Sequence, residues 1–352
     1  MIQIKKFAPG ILLCLTIAIP ADYLGQAYPI IGGPVFGMLI GMIITIIYPE
    51  VLTTKLLFNS KKSVPEQFKF NTGVKYTSKK LLQYSIILLG FGMNLFNVIK
   101  IGGQSLFVIL FTLSASFLTA FFMSKILKIK GTMATLMGVG ISICGGSAIA
   151  ATAPVIQAGD ADISHAISTI FLFNILAVFI FPALGHLWGM SDMGFGMWAG
   201  TAINDTSSVV AAGASWSNSA GNNTALAFAT IVKLTRTLMI VPITLVLSIY
   251  TAQKNKKNSH NTFKLSKVFP WFIFGFIGAA IANTFAGIPE STSHWLASAG
   301  KFVIVMAMSA IGLNTNLKKL FTNSIKPIFL GLCCWFAVAG VSLLVQAMMN
   351  IL

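Results

Sequence analysis

Residues 200 to 213 read GTAINDTSSVVAAG, which sets Asn204, Asp205, Thr206, Ser207 and Ser208 side by side inside an otherwise apolar run. Within hydrocarbon every backbone N–H and C=O needs a partner, so an unwound polar stretch survives only where it is buried in protein or lines a wet cavity. The stretch therefore predicts a broken helix. Asn204 and Asp205 are cap-type residues, and VVAAGA continues as helix behind them.

The surroundings support hydrocarbon as the solvent. Of the 352 residues, 56% are hydrophobic and 9% charged, with a mean hydropathy of +0.84, far from the balance of a soluble domain. A span takes about 20 apolar residues. About eleven such segments are expected, near 9–27, 30–48, 81–99, 104–127, 131–157, 165–187, 193–215, 224–250, 268–287, 297–316 and 326–350. The chain reads as an all-α polytopic membrane protein, a single integral membrane domain over 1–352. Lys5 and Lys6 before an apolar run resemble a signal peptide, but no small-residue cleavage site follows, so the run is read as a retained first helix.

The formal charge of +16 comes almost wholly from lysine. The lysines gather in connections, about 50–80, 125–130, 251–267 and at Lys318 and Lys319. Topology explains this placement better than nucleic-acid binding does. Positive-inside bias puts these connections in the cytoplasm, with the N-terminus inside and the C-terminus outside. Neither NSKKSVPEQFKFNTGVKYTSKK (59–80) nor TAQKNKKNSHNTFKLSK (251–267) is long enough to be a domain. Both read as solvated cytoplasmic loops.

A second interruption lies in GVGISICGGSAIAATAP (138–154), where four glycines with Ser142, Cys144 and Ser147 precede an Ala-rich run. The stretch from Ser142 through Gly145 and Gly146 to Ser147 reads as a substrate-facing break, and Ser147 is the expected cap of the half-helix behind it. Whether these two segments cross fully or re-enter stays open. Two half-helix ends facing each other would offer N–H groups and hydroxyls to an anion. For any single serine, plain interhelical hydrogen bonding is the competing role. SAIAATA (147–153) echoes SVVAAGA (208–214), and GFGMNL (90–95) echoes GLNTNL (312–317), the trace an inverted repeat leaves, although small residues also match by chance.

Asp205 is costly in a membrane segment, at least about 2.5 to 3.5 kcal/mol on insertion scales, so it should face a cavity or a partner. Its candidate partners are Lys233 and Arg236 in IVKLTRTLMIVP (231–242), which share one helix face at i, i+3. Arg236 is the only arginine, and its planar fork suits a two-oxygen anion. Asp205 is the candidate site for a coupling proton or sodium ion, leaving the two cations to compensate a bound anion. The competing readings are a buried ion pair and, for the cations, snorkelling to the interface.

No cofactor or metal is expected, since His165, His186, His260 and His294 are scattered without ligand spacing. Cys14, Cys144, Cys333 and Cys334 lie in apolar segments and suggest no disulfide framework. Cys144 as the nucleophile of an intramembrane enzyme has no histidine near it in sequence, so an enzyme is not expected. A channel is the remaining alternative to a carrier.

The segments GISICGGSAIAATAPVI, WAGTAINDTSSVVAAG, VKLTRTLMIVP, PWFIFGFI and MAMSAIGLNTNLKKL resemble, in order, signatures of the YeiH-type sulfate exporter family of bacterial inner-membrane proteins. The resemblance runs from about residue 28 to the C-terminus. It implies a multi-spanning secondary transporter of sulfate or a related sulfur oxyanion. Carried over by motif, it places Ser142, Cys144 and Ser147 in one signature and Lys233 and Arg236 in another. The chain departs from that family at Asn204, where a histidine is usual, and at Gly92, where an arginine is common. A sodium- or proton-coupled carrier of an organic anion, a sulfonate or a carboxylate, is the second transport reading. A homo-oligomer is compatible with either.

Overall fold

The computed structural model describes residues 2–29, 31–48, 70–254, 271–315 and 325–351. The regular secondary structure of these residues is helical, with no strand among them. Among the described residues, six stretches are long and apolar enough to cross a membrane: Lys6–Ala27, Leu95–Ile126, Ala161–Leu187, Thr224–Thr251, Glu290–Asn314 and Ile325–Met348. That is fewer than the eleven segments expected. Segments 30–48, 131–157 and 268–287 fall on shorter apolar helices, Gly33–Ile47, Gly131–Ser142 and Phe272–Phe285.

In chain order the helices are α1 (Ile2–Ala27), α2 (Gly33–Ile47), α3 (Phe70–Tyr76), a π-turn (Thr77–Leu81), α4 (Leu82–Gly90), α5 (Leu95–Ile126), α6 (Gly131–Ser142), α7 (Gly146–Thr152), α8 (Asp160–Leu187), α9 (Asp192–Ala202), α10 (Thr206–Ala220), α11 (Thr224–Leu238), α12 (Ile240–Lys254), α13 (Phe272–Phe285), α14 (Glu290–Asn314) and α15 (Ile325–Met348). The chain divides into two compact units. The first takes Met1–Val98, Val210–Ala227 and Phe272–Asn316; the second takes Ile99–Val209, Phe228–Trp271 and Leu317–Leu352.

In the first unit small residues let helices touch backbone to backbone. Gly37 and Gly41, one turn apart on α2, lie against Ser309 of α14, and a side chain at Gly312 would collide with the Met38 carbonyl. This is the packing expected where lipid tails remove the hydrophobic drive between helices. Thr45 adds a hydrogen bond to the Leu313 carbonyl at 2.9 Å.

Two expectations are corrected here. Residues 70–80, read as part of a solvated connection, are helical, because Gly73 packs directly on Gly10 of α1 and Val74 and Thr77 are buried. The rest of that connection, much of 251–267, His260, Lys318 and Lys319 lie outside the described residues. Segment 81–99 is not one helix: α4 ends at Gly90 and α5 starts at Leu95, with the Asn94 side chain accepting the Phe96 N–H at 2.9 Å.

The second unit shows most clearly which solvent the helices meet. On α5 the large apolar residues Phe107, Phe111, Leu118 and Phe122 face outward, whereas Ser105, Thr112 and Ser116 are buried. A soluble helix would reverse that pattern. The inward hydroxyls bond internally, and Ser116 donates to the Gly138 carbonyl of α6 at 3.0 Å. The apolar face turned outward is the one a bilayer covers.

Candidate functional site

Both chain breaks lie in the second unit. α6 stops at Ser142, where Ile143 leaves the helical region at φ −118 and ψ −93. Gly145 then takes φ +68, a positive-φ conformation that glycine adopts without steric cost, and α7 resumes at Gly146. α9 stops at Ala202, Ile203 is extended with ψ 134, and α10 starts at Thr206. Asn174 of α8 spans the two interruptions. Its Oδ1 accepts the Asp205 N–H at 3.1 Å, while its Nδ2 lies 3.6 Å from where a Cβ on Gly145 would stand.

A helix that ends inside protein leaves carbonyls without intrahelical partners, at the negative end of its dipole. Here α11 supplies the donors. Lys233 Nζ donates to the Ile143 carbonyl at 2.6 Å and the Ile203 carbonyl at 3.1 Å, and also to the Asn204 carbonyl. Arg236 donates from Nε to the Ser142 carbonyl at 2.5 Å and from Nη1 to the Ile203 carbonyl at 3.3 Å, and from Nη2 to the Ile141 carbonyl. Both side chains are fully buried, which removes the snorkelling alternative. α11 can come this close because Gly200 of α9 faces Val232, where a side chain would collide at 2.7 Å. Stacking of Trp198 on Phe181, with ring centroids 4.2 Å apart, holds α9 against α8.

The remaining expected site residues divide by what they touch. Asp205 Oδ2 accepts the Ser207 N–H at 3.0 Å and the Ser207 hydroxyl as well, so Asp205 caps α10. Ser208 is buried, whereas Asp205 and Thr206 are partly exposed. Ser147, expected as the cap of α7, is not one: Gly145 holds that position without a side-chain bond. The positive-φ turn at Gly145 starts α7 before Ser147, whose hydroxyl instead donates back to the Cys144 carbonyl at 3.2 Å and lies 3.0 Å from Cys144 Sγ. Ser142 donates to the Val139 carbonyl at 3.2 Å, within its own helix. Beside Gly146 there is open space, and Ser147 next to it is exposed.

Asn204 stands apart from Asp205, Ser207, Lys233 and Arg236, whose side chains are bonded. It is fully buried, and neither its Oδ1 nor its Nδ2 has a hydrogen-bond partner. A buried polar group in this condition normally costs about 1–3 kcal/mol, so it calls for an explanation.

Asn174 was missed by sequence reasoning. Its signal was a single amide inside STIFLFNILAVFIF (168–181), too weak to place it between two chain breaks. A second buried polar cluster was missed as well: the Thr201 and Ser342 hydroxyls lie 2.6 Å apart, and Gln346 Nε2 donates to Ser342 at 3.0 Å. No group of His, Cys, Asp or Glu among the described residues is arranged to hold a metal ion.

Comparison with known proteins agrees with a membrane assignment. The chain is 49% identical to a UPF0324 membrane protein of Streptococcus mutans, over 97% of each chain. It is 47% identical to one of Streptococcus agalactiae, over 98% of each, and 46% identical to one of Fusobacterium nucleatum, over 97% of this chain and 98% of that protein. No solved structure matches. These relatives carry no sulfate-exporter designation, so the family is established without that name. Residues 9–331 match the family model described as Conserved hypothetical protein 698, and with these relatives that match places the chain in the UPF0324 membrane protein family.

Proposed function

We propose that the protein is a secondary active transporter of a small anion, working by alternating access rather than by enzymatic chemistry or as a channel. One observation carries the reading: two helices are interrupted side by side in an apolar protein, and the break between α9 and α10 holds a buried amide, Asn204, with no partner. Interrupted helices of this kind are how carriers build polar sites at mid-membrane. The echoes SAIAATA and SVVAAGA lie on the helical runs resuming after each break, which supports an inverted repeat as the origin of the pair.

The anion would be held by the start of α10, by Asn204, Thr206 and Ser207, and by the field of Lys233 and Arg236. The cations act through charge, because the donors described above are directed at carbonyls. Asp205 sets the coupling. Its carboxylate already occupies the anion position at the start of α10. Protonation of Asp205 would remove that competing charge and admit substrate, which couples a proton to the anion. Sulfate or a related sulfur oxyanion is the substrate class implied by the resemblance to sulfate exporters. A bacterial cytoplasmic membrane, with the N-terminus inside and the C-terminus outside, completes the reading.

Purified protein in proteoliposomes tests this. Labelled sulfate, sulfite, a sulfonate and a carboxylate are offered at two pH values, with and without sodium. Saturable uptake of one class that increases with an inward proton gradient, and loses that dependence in Asp205→Asn, is the expected result. Uptake of none of the panel would overturn the anion assignment, and unaltered pH dependence in Asp205→Asn would overturn the coupling role. Sodium-driven uptake of the organic anions would select the second transport reading, and unitary conductance steps would replace the carrier with a channel.

A further inference from the structure

We propose that Lys233 is a tethered substitute for a coupling cation: its ammonium fills a carbonyl cage that, once emptied, takes a free monovalent cation. The three oxygens around Nζ belong to Ile143, Ile203 and Asn204, all backbone carbonyls, contributed by both chain breaks. No carboxylate is among them. A structural ion pair would put a lysine on an acid; here the acid of the site, Asp205, is turned to Ser207 instead.

Neutral carbonyls at the negative ends of two interrupted helices are the ligands that broken-helix carriers use for a coupling ion. Rings of carbonyl oxygens likewise replace the hydration shell of a monovalent ion in cation channels. An ammonium group is a compact, strongly hydrated point charge with three donors, so it matches three such oxygens, and its four-carbon stem fixes it to α11. Arg236 has a separate task. It binds the Ser142 and Ile141 carbonyls, one and two residues back from Ile143 at the end of α6, and shares the Ile203 carbonyl. The cage walls are therefore stitched together independently of Lys233, and they persist when the lysine is truncated.

This inference needs no transport to be observed, so it stands or falls separately from the carrier reading. Lys233→Ala and Lys233→Ser are purified and their melting midpoints compared in sodium, potassium, methylammonium and N-methyl-D-glucamine chlorides at equal ionic strength. Lys233→Met serves as a variant in which an uncharged stem fills the space.

In the Ala or Ser variant, methylammonium or a small alkali ion should raise the midpoint by a few degrees over N-methyl-D-glucamine, growing with the logarithm of concentration as a binding linkage requires. The wild type, which carries its own ammonium, and Lys233→Met should show no such selective shift. Recovery of folded Ala or Ser variant only when one of those cations is present during extraction counts equally in favour. Identical midpoints in all four salts, an equal shift in the wild type, or failure of both small variants to fold in every salt overturns the proposal. If transport proves measurable, the wild type should run equally well with sodium or potassium, and Lys233→Ala should acquire a cation requirement.

Discussion

The two chain breaks do the same thing by different means. Between α6 and α7 the backbone turns on a glycine: Gly145 takes a positive φ, and α7 begins without a side-chain cap. Between α9 and α10 the turn is made with side chains, as Ile203 extends, Asn204 is left unpartnered, and Asp205 caps the next helix. The first break therefore reads as geometry and the second as chemistry. Lys233 and Arg236 bind carbonyls from both, so the two are one structural unit.

That unity is tested hardest at Arg236. Arg236→Met keeps much of the volume but withdraws the donor from the Ile141, Ser142 and Ile203 carbonyls. Lys233 still serves the Ile203 carbonyl, so at about 1–3 kcal/mol for each of the two buried carbonyls left without a donor, a loss of at least about 2 kcal/mol is expected. Thermal melting in detergent and the yield of monodisperse protein should both collapse relative to wild type. A variant that melts normally would mean the breaks are held by something other than this guanidinium.

The next effect separates the halves. Gly145→Ala forces a Cβ onto a residue at φ +68 and ψ −127, outside the left-handed helical region and in territory that favours glycine, costing about 1–3 kcal/mol, and brings it to 3.3 Å from Ile170. Gly146→Ala, one residue on, meets nothing within 4 Å and lies in helix. It should be neutral or stabilising by up to about 1 kcal/mol from helix propensity. Opposite signs of the midpoint shift at these neighbouring glycines are the expected outcome. Equal shifts would show that Gly145 is not the pivot of the first break.

The breaks themselves were legible because each breaks a local rule, a glycine cluster in one and a polar run in the other, inside segments that otherwise read as spans. Where the cations go was not. A lysine and an arginine in an apolar segment imply a counter-charge, and a sequence offers only Asp205 for that role. The carbonyls that receive them become negative ends only once α6 and α9 stop beside α11, which is tertiary information. Asn174 was invisible for the same reason, its value lying in touching two distant breaks. The misreading of Ser147 was local: cap preference ranks serine above glycine only modestly, and the positive-φ turn at Gly145 overrides it. Residues 70–80 misled through composition, since the Gly10–Gly73 contact that orders them cannot be read from charge.

On the proposed carrier reading, Asp205 should give a smaller effect on stability and a large one on uptake. Asp205→Asn retains an acceptor for the Ser207 N–H and should cost under about 1 kcal/mol, because asparagine and aspartate rank together as caps. Asp205→Ala should cost about 0.5–2 kcal/mol. If the second break is the reactive half, both variants lose the pH dependence of anion uptake although only the alanine variant melts appreciably lower. Parallel losses would reduce Asp205 to a cap.

The smallest expected stability effect is at Asn204, and it discriminates most sharply between the halves. Replacing a buried amide usually costs the hydrogen bonds it made, but the Asn204 side chain makes none within the protein. Asn204→Leu, of similar size, therefore removes a desolvated polar group and loses no bond, so the melting midpoint should hold or rise. A polar group kept in that condition is explained if its partner arrives with the substrate or with bound water, because an amide both donates and accepts. Anion uptake should then fall at least tenfold in a protein that is no less stable, the trade-off expected where a site is maintained against its own folding energy. A leucine variant that melts several degrees lower would place an internal partner on Asn204, and one that transports normally would move the substrate contact elsewhere in the second break.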